Sequence, residues 1–449
     1  MTHPSADGWM PLTLPQIDLW EEYTFHSNEV VSTVAHSLDI TGPINEDALK
    51  RAIAQVVAES DVLSLEFHDR RPDLPPLQRV NPELRPELVV HDLTGADDPA
   101  AEAQRLIEAD IGRGIDLKGR GISAQALFRL SPHHLVWYLR THHAVLDGYG
   151  IALIEKRLGE LYGHFSAGLP AGDPFHPFES FIDEEETYRA SRRFQADREH
   201  WVKSLAGAVN FRVLHKGAED YLSGGAHYGF HELAPETAAQ LRRMAGELTM
   251  AWPDLLTLLS GLYLRHELPQ PETRHRSEAF MIWLPLMSRW GSVGAHMPAM
   301  LVNILPVFLT AEPGEGLRRF LARSAGLLKT LRSHGRYRVE QIALDRGVPA
   351  GSRFFFSPLI NILPFDPPIF PGCDVTRNVQ AAGLPEGFAL TFRGQEDGTG
   401  LTFEMEADTA TADTATFERW QRELPEFLAE KLTVEALDGP VGSAIWRGD

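Results

Sequence analysis

The chain has 449 residues, with 42 Lys+Arg against 62 Asp+Glu, a formal net charge of −20. An apolar share of 43% beside 23% charged residues excludes global disorder, and the acidic balance argues against a nucleic-acid partner, whose phosphates need a basic face. The single cysteine, Cys373, excludes a disulfide framework and any zinc site of CxxC spacing.

Met1–Trp20 lacks the basic start and apolar core of a signal peptide, and no apolar run reaches the length of a membrane span. A cytoplasmic protein with no membrane partner is expected. Val31–Ile40 alternates as a strand ending at Thr41-Gly42-Pro43, and Asn45–Glu59 has helical periodicity with Asn45 placed to cap it. Val62–Phe67 is a further strand. Ile122–Leu130 and His134–Leu139 form a hairpin around Ser131-Pro132-His133, and a helix follows over Ile151–Ser166. The Pro- and Phe-rich Asp173–Ser180 reads as a crossover between two halves. Beyond it come a strand at Tyr228–Leu233 and helices at Glu236–Leu248 and Pro253–Arg265. The near-continuous apolar runs Phe280–Leu286 and Ala299–Leu309 suit strands covered on both faces. A helix at Gly316–Ser333 and strands at Phe354–Pro364 and Ala389–Ala407 complete a mixed α/β chain.

The glycine-rich nucleotide fingerprints and GxSxG are absent, and His231-Glu232 and His266-Glu267 lack the second histidine of a zincin helix. The segment that carries chemistry is Thr141-His142-His143-Ala144-Val145-Leu146-Asp147-Gly148. An imidazole at a strand end reaches a cleft and titrates near neutrality, as proton transfer requires. A nearby carboxylate can hold the loop by pairing with an arginine, and glycine permits a tight turn. Spacing alone also fits two loop histidines beside a turn-forming Asp-Gly. Nothing around the segment supplies a metal-ligand set. His133-His134 opens a strand and lacks the Asp-Gly, so it reads as structural.

His142-His143-x-x-x-Asp147-Gly148 resembles the HHxxxDG signature of nonribosomal peptide synthetase condensation domains. Leu12–Trp20 resembles that family's opening motif. Glu59–Phe67 sits where the family has an arginine/histidine/glutamate-then-leucine stretch, with the first positions degenerate. Ala299–Pro306 resembles the floor loop around Asn303, and Phe356–Ile362 the latch strand. The motifs keep the family's order from Leu12 to about Arg393. The longer runs Arg140–Gly150, Trp283–Val293, His334–Gln341 and Ser357–Phe365 are similar to freestanding amide synthases of the vibriobactin type.

The resemblance implies an α/β fold of two chloramphenicol-acetyltransferase-like lobes, V-shaped, with the active site in the tunnel between them. Residues 1–175 would form the lobe carrying HHxxxDG, and 176–449 the lobe with floor loop and latch. It implies a freestanding enzyme that joins an aryl group, such as 2,3-dihydroxybenzoyl, on a carrier-protein thioester to a soluble diamine or polyamine in siderophore-type assembly. The alternatives are a noncatalytic carrier-binding platform, or condensation with an aminoacyl carrier protein or an alcohol. Epimerization, which shares HHxxxDG, calls for a glutamate two residues before the histidine of His334-Gly335-Arg336, where Arg332 stands. No cofactor of its own is implied, since the partner carrier protein delivers phosphopantetheine. A monomer is expected. Ile445–Asp449 shows no adenylation or carrier segment, which suits a freestanding enzyme and equally an excised domain.

By resemblance His143 is the catalytic residue, His142 packs behind the loop, Asp147 pairs with Arg289, and Gly148 offers a backbone N–H. Trp290, Asn361 and Asn303 are expected along the substrate tunnel, with core packing the competing reading for Trp290, a latch contact between lobes for Asn361, and a structural role, the favoured one, for Asn303. Leu317–Arg338 holds Arg318, Arg319, Arg323, Arg332 and Arg336 with no acidic residue, either a solvated face or a landing patch for an acidic carrier protein. The acidic run Asp183–Glu186 reads as an exposed helix start or an attractor for a polycationic amine.

Overall fold

The computed structural model describes residues 8–27, 30, 32–69, 74–119, 121–206, 211–218, 221, 225–268, 279–312, 314–383 and 386–441. The residues Ile445–Asp449 lie outside this set. The chain divides into two compact units, each mixed α/β. The first comprises Met1–Ala196, Arg289–Leu301 and Pro367–Leu384, and the second Asp197–Ser288, Val302–Asp366 and Pro385–Asp449. A single cut near residue 175 does not describe this division. The crossover continues into the helix Phe178–Arg189, still in the first unit, and two later stretches of chain return to it. Among the described residues, no helix is long and apolar enough to cross a membrane.

The first unit is built on a five-stranded sheet in the order Asp374–Ala382, Thr33–Thr41, His134–His142, Ser123–Ser131, Leu88–Asp92. The hairpin around Ser131-Pro132-His133 forms as the sequence indicates. The helix Glu46–Glu59, capped by the Asn45 side chain on Ala48 N, packs with the helix Gly148–Ala167 on one face. Leu49, Ile53, Ile154 and Leu158 there meet Leu38, Trp137 and Leu139. The helix Pro99–Ile111 covers the other face through Ala103 and Ile107 against Phe128 and Val136. Val62–Phe67 is not one strand. A 3-10 turn at Asp61–Ser64 precedes a short strand, Leu65–His68, because Leu63 N–H already bonds Ser60 O.

The sheet's edge strand, Asp374–Ala382, was not evident in the sequence. It arrives from the far end of the chain and pairs antiparallel with Thr33–Thr41. Its approach is close: a Cβ on Gly159 would lie 2.7 Å from Ile369 O, so only glycine fits that turn of helix. Buried Glu155 on the same helix accepts from His36 Nδ1 at 2.8 Å and from Arg377 Nε of the edge strand. Burial works against that carboxylate, but His36 and then Arg377 outweigh it and hold it below the usual range.

The second unit has a six-stranded sheet in the order Asn303–Leu309, Phe280–Leu286, Leu359–Pro364, Phe388–Gly394, Thr402–Asp408, Ala226–Glu232. Leu359–Pro364 runs parallel to both neighbours and the other pairs are antiparallel. The apolar helix Trp252–Glu267 packs so tightly that a Cβ on Gly261 would meet Leu309 Cδ1 at 2.6 Å. The helix Thr414–Lys431 stacks Phe417 on His227 and sets Trp420 edge-on to Phe388. Of the run Ala299–Leu309, only Asn303–Leu309 is strand, because Ala299 O and Leu301 N are engaged elsewhere, as described next.

Candidate active site

The signature lies where the strand His134–His142 passes into the helix Gly148–Ala167, and its residues divide the work. Asp147 is the helix N-cap, accepting from Gly150 N at 2.7 Å through Oδ1. Arg289 Nη2 reaches both carboxylate oxygens, each at 2.8 Å, and Leu301 N donates to Oδ2 at 2.8 Å. The same guanidinium donates to Gly294 O, Met297 O and Ala299 O at 2.8, 2.6 and 2.8 Å, and lies 4.9 Å from the Tyr149 ring centre. Both charged groups are 3% exposed at most. One buried ion pair thus pins the whole Arg289–Leu301 loop to the first turn of the helix. Both Asp147 oxygens are occupied, so its role here is to hold structure.

His142 is buried and its Nδ1 accepts from Ala144 N at 3.0 Å, which makes the other ring nitrogen the protonated one in the neutral form. Burial, helped by the adjacent His143, pushes its pKa down to about 3. The unfolded chain therefore takes up a proton near pH 6.5 that the folded chain refuses until about pH 3. Stability from this group is complete above about pH 6.5 and drains away as pH falls toward 3. Urea midpoints measured from pH 7.5 to 4 should fall more steeply for the parent than for His142→Gln; equal slopes would refute a buried neutral His142.

His143 is held differently. Its backbone N–H donates to Ser32 O at 2.6 Å, and Ser32 Oγ in turn donates to Glu22 Oε1 at 2.7 Å. The side chain is half-buried, and its Nδ1 is buried with no hydrogen-bond partner among the described residues. A ring whose backbone is fixed and whose polar atom is unsatisfied has hydrogen-bonding capacity left for a ligand. Gly148 opens the helix, where amides have no intrahelical acceptor. A Cβ on Gly148 would meet nothing within 4 Å. The glycine that the packing demands is Gly150, whose Cβ would lie 2.7 Å from Leu146 Cδ1 and 3.0 Å from Ala299 N.

Residues 6–436 match the family model for the condensation domain. The chain belongs to the condensation-domain family. Condensation domains are the amide-forming acyltransferases of nonribosomal peptide synthesis and act on carrier-protein-bound substrates. Among solved structures, the chain is similar to VibH, a nonribosomal peptide synthetase condensation enzyme, at 31% identity and a TM-score of 0.86, covering 96% of this chain and 100% of VibH. It is also similar to a starter condensation domain of rhizomide synthetase solved with C8-CoA, at 25% identity and a TM-score of 0.80, covering 97% of each chain. Curated relatives include an isonitrile lipopeptide synthase of Streptomyces coeruleorubidus, 29% identical over 96% of this chain, and enterobactin synthase component F of Escherichia coli K12, 27% identical over 80%. The chain spans 29% and 27% of those two proteins' lengths.

Within this condensation fold the remaining expected site residues sort clearly. Trp290 is 88% exposed, which overturns core packing. Asn361 lies half-buried in the strand Leu359–Pro364, opposite Thr391. Asn303 is a correction. Its Nδ2 donates to Gly335 O and Tyr337 O at 2.8 and 3.0 Å, and its Oδ1 accepts from Val339 N at 3.0 Å. Fully buried and engaged at both ends, its amide belongs to a backbone brace and not to a substrate surface. Asn303→Ala would leave two carbonyls and an N–H unsatisfied and should cost about 2 to 4 kcal/mol of stability; an unchanged melting temperature would contradict the brace.

The basic stretch is also corrected. Arg318 pairs with Asp438 at 3.0 Å, Arg323 with Glu315 at 2.9 Å, and Arg332 with Asp254. Asp438 and Asp254 come from elements remote in sequence and Glu315 from just before the helix, so a helix that looks uniformly basic is largely neutralised once folded. Arg319 carries no such pair among the described residues, and Arg336 follows the His334-Gly335 turn beyond the helix. The acidic run Asp183–Glu186 lies inside the helix Phe178–Arg189, and Glu184 Oε2 accepts from Val293 N at 2.8 Å, a second tie to the Arg289–Leu301 loop. That contact left no signal in the sequence, because its partner is a backbone amide.

Proposed function

We propose that the chain is an amide synthase that transfers an aryl group, in the first instance 2,3-dihydroxybenzoyl, from a carrier-protein thioester to a soluble diamine or polyamine. The observation that carries this reading is His143. Its backbone is fixed to Ser32, its Nδ1 is unsatisfied, and it stands beside a loop locked by Asp147 and Arg289. The likeness to VibH, a condensation enzyme, supports the condensation reaction, and the likeness to enterobactin synthase component F supports siderophore-type assembly.

In this reaction the amine nitrogen attacks the thioester carbonyl carbon, the C–S bond breaks, and the nitrogen loses one proton. The thiol leaves on the partner's phosphopantetheine arm, so the chain needs no thiol of its own. Cys373 is suited to none: its thiol is pushed up by burial. His143 would take or orient the amine proton as the tetrahedral centre forms. The Gly148 N–H would face the developing oxyanion.

The test is incubation of the purified chain with a dihydroxybenzoyl-loaded aryl carrier protein and a panel of amines, alcohols and aminoacyl carrier proteins. Amide formed with a soluble amine supports the proposal. Carrier binding without turnover supports a noncatalytic platform, and turnover only with an alcohol or an aminoacyl carrier reassigns the acceptor.

A further inference from the structure

The helix Leu14–Phe25 ends against the two histidines of the signature and is anchored along its length. At its start Thr13 and Gln16 form a reciprocal capping box. The Gln16 amide also exchanges hydrogen bonds with the Gln78 amide at 2.7 and 2.8 Å. Near its end the Tyr23 hydroxyl donates to Asp116 Oδ1, and the Tyr23 ring stands edge-on to His142 with centres 6.4 Å apart. Between these anchors sits Glu22, 9% exposed, in the last turn of the helix. Burial disfavours a carboxylate, and the negative end of the helix dipole disfavours it again. An acid kept there against both costs does something that an apolar side chain would not.

Its contacts lead to His143. Glu22 Oε1 accepts from Ser32 Oγ at 2.7 Å, and Ser32 is itself buried. Ser32 O in turn accepts the His143 N–H at 2.6 Å. The strand ladder ends one residue earlier, at the pair Thr33 and His142. The bond from His143 to Ser32 therefore extends the ladder past its last pair, at the point where strand ends open most readily. The carboxylate is also felt electrically by the histidines. Burial and then His143 push the His142 pKa down, and Glu22 pushes it up. A hydrogen-bonded relay and a charge effect thus connect Glu22 to the same two residues.

We propose that Glu22 is a positioning residue for the transfer reaction, holding the backbone of His143 in place through the Ser32 hydroxyl. The inference rests on reading His143 as the catalytic residue. A side chain that takes or orients a proton must meet the amine closely, and a misplacement of about 1 Å can cost on the order of 100-fold in rate. His143 Nδ1 makes no hydrogen bond among the described residues, so that side of the ring adds no restraint. The aim of the ring then depends on its backbone, and the backbone on Ser32. A hydroxyl rotates to suit its surroundings, whereas a carboxylate is a strong acceptor that selects one rotamer and so fixes the Ser32 peptide.

Three variants test the relay. Glu22→Leu removes the acceptor at similar volume, Ser32→Ala removes the donor, and Glu22→Gln keeps an acceptor without the charge. Thermal melts check that each is folded. Hydrogen exchange followed by mass spectrometry on the full chain should show the His143 amide exchanging about tenfold faster in Glu22→Leu and Ser32→Ala than in the parent. With a dihydroxybenzoyl-loaded aryl carrier protein and the amine panel, both should lose about tenfold or more in kcat with KM nearly unchanged. Glu22→Gln should recover most of both losses, and the double variant Glu22→Leu/Ser32→Ala should be no worse than either single one. Parental exchange at His143 in both variants overturns the proposal, and so does faster exchange with parental kcat. A Glu22→Gln variant as impaired as Glu22→Leu also overturns it, since charge and not the hydrogen bond would then matter. If His143→Ala keeps full activity, the catalytic reading of His143 fails whatever Glu22 does. If His143→Ala is inactive while Glu22→Leu keeps its kcat, the positioning role fails and that reading stands. If no amine is acylated, the amide-synthase reading falls and the exchange data alone decide whether Glu22 holds His143.

Discussion

His143→Ala is expected to reduce amide formation about 10² to 10⁴-fold, the usual worth of a positioned acid–base side chain, while leaving stability nearly unchanged. The asymmetry follows from how the residue is held. Its structural contact is the backbone N–H to Ser32 O, which alanine keeps. Its ring nitrogen Nδ1 has no partner to lose, so truncation orphans no buried group. A histidine retained for packing would behave the opposite way, with a falling melting temperature and surviving activity. His143→Gln separates two mechanisms. Glutamine can orient an amine by hydrogen bonding but cannot accept its proton near neutrality. Partial activity with a flattened pH profile would mark a positioning role, and loss equal to alanine a general base. Full activity in His143→Ala would remove the assignment altogether.

Asp147→Ala should cost about 3 to 5 kcal/mol of stability, because it leaves the Arg289 guanidinium buried without its counter-charge. The same substitution strips the cap from Gly150 N and the acceptor from Leu301 N, so the helix start and the Arg289–Leu301 loop loosen together. Activity should fall with them, since His143 stands four residues before the cap. Asp147→Asn keeps the volume and one acceptor but not the charge, and should lie between parent and alanine. Arg289→Lys should not rescue. A lysine offers a compact charge with three donors, whereas the guanidinium joins one carboxylate to three carbonyls through its two terminal nitrogens. A double-mutant cycle over Asp147→Ala and Arg289→Ala should give a coupling energy of at least about 1 kcal/mol in urea melts. Additive effects would mean that the two residues stabilise the loop separately.

Much of the site was legible because its elements are local. Alternation marked the hairpin Ser123–Ser131 and His134–His142, and 3.6-residue periodicity marked the helix Gly148–Ala167. The two histidines, the capping aspartate and the first helical turn fall within the ten residues His142–Ile151, so short-range geometry constrains them to one place. The Arg289 partner was reachable through the family's motif order, although nothing in local spacing requires a contact between residues 142 positions apart.

Other residues could not be judged from their neighbours in sequence. Asn303 had a structural and a tunnel reading until Gly335, Tyr337 and Val339 closed around its amide. Arg318, Arg323 and Arg332 made a basic stretch until Asp438, Glu315 and Asp254 folded against it.

By itself the amino-acid sequence determined the mixed α/β class, the family's ordered motifs and the short segment that bears His143. These depend on periodicity and on residues that act on near neighbours. Tertiary structure alone decided which charges survive unpaired, which polar groups are spent on the backbone, and that the strand Asp374–Ala382 completes the first unit's sheet. Those outcomes depend on partners that local periodicity does not specify, from Glu315 just before its helix to the strand Asp374–Ala382 late in the chain, and such pairing is settled by packing and register rather than by local composition.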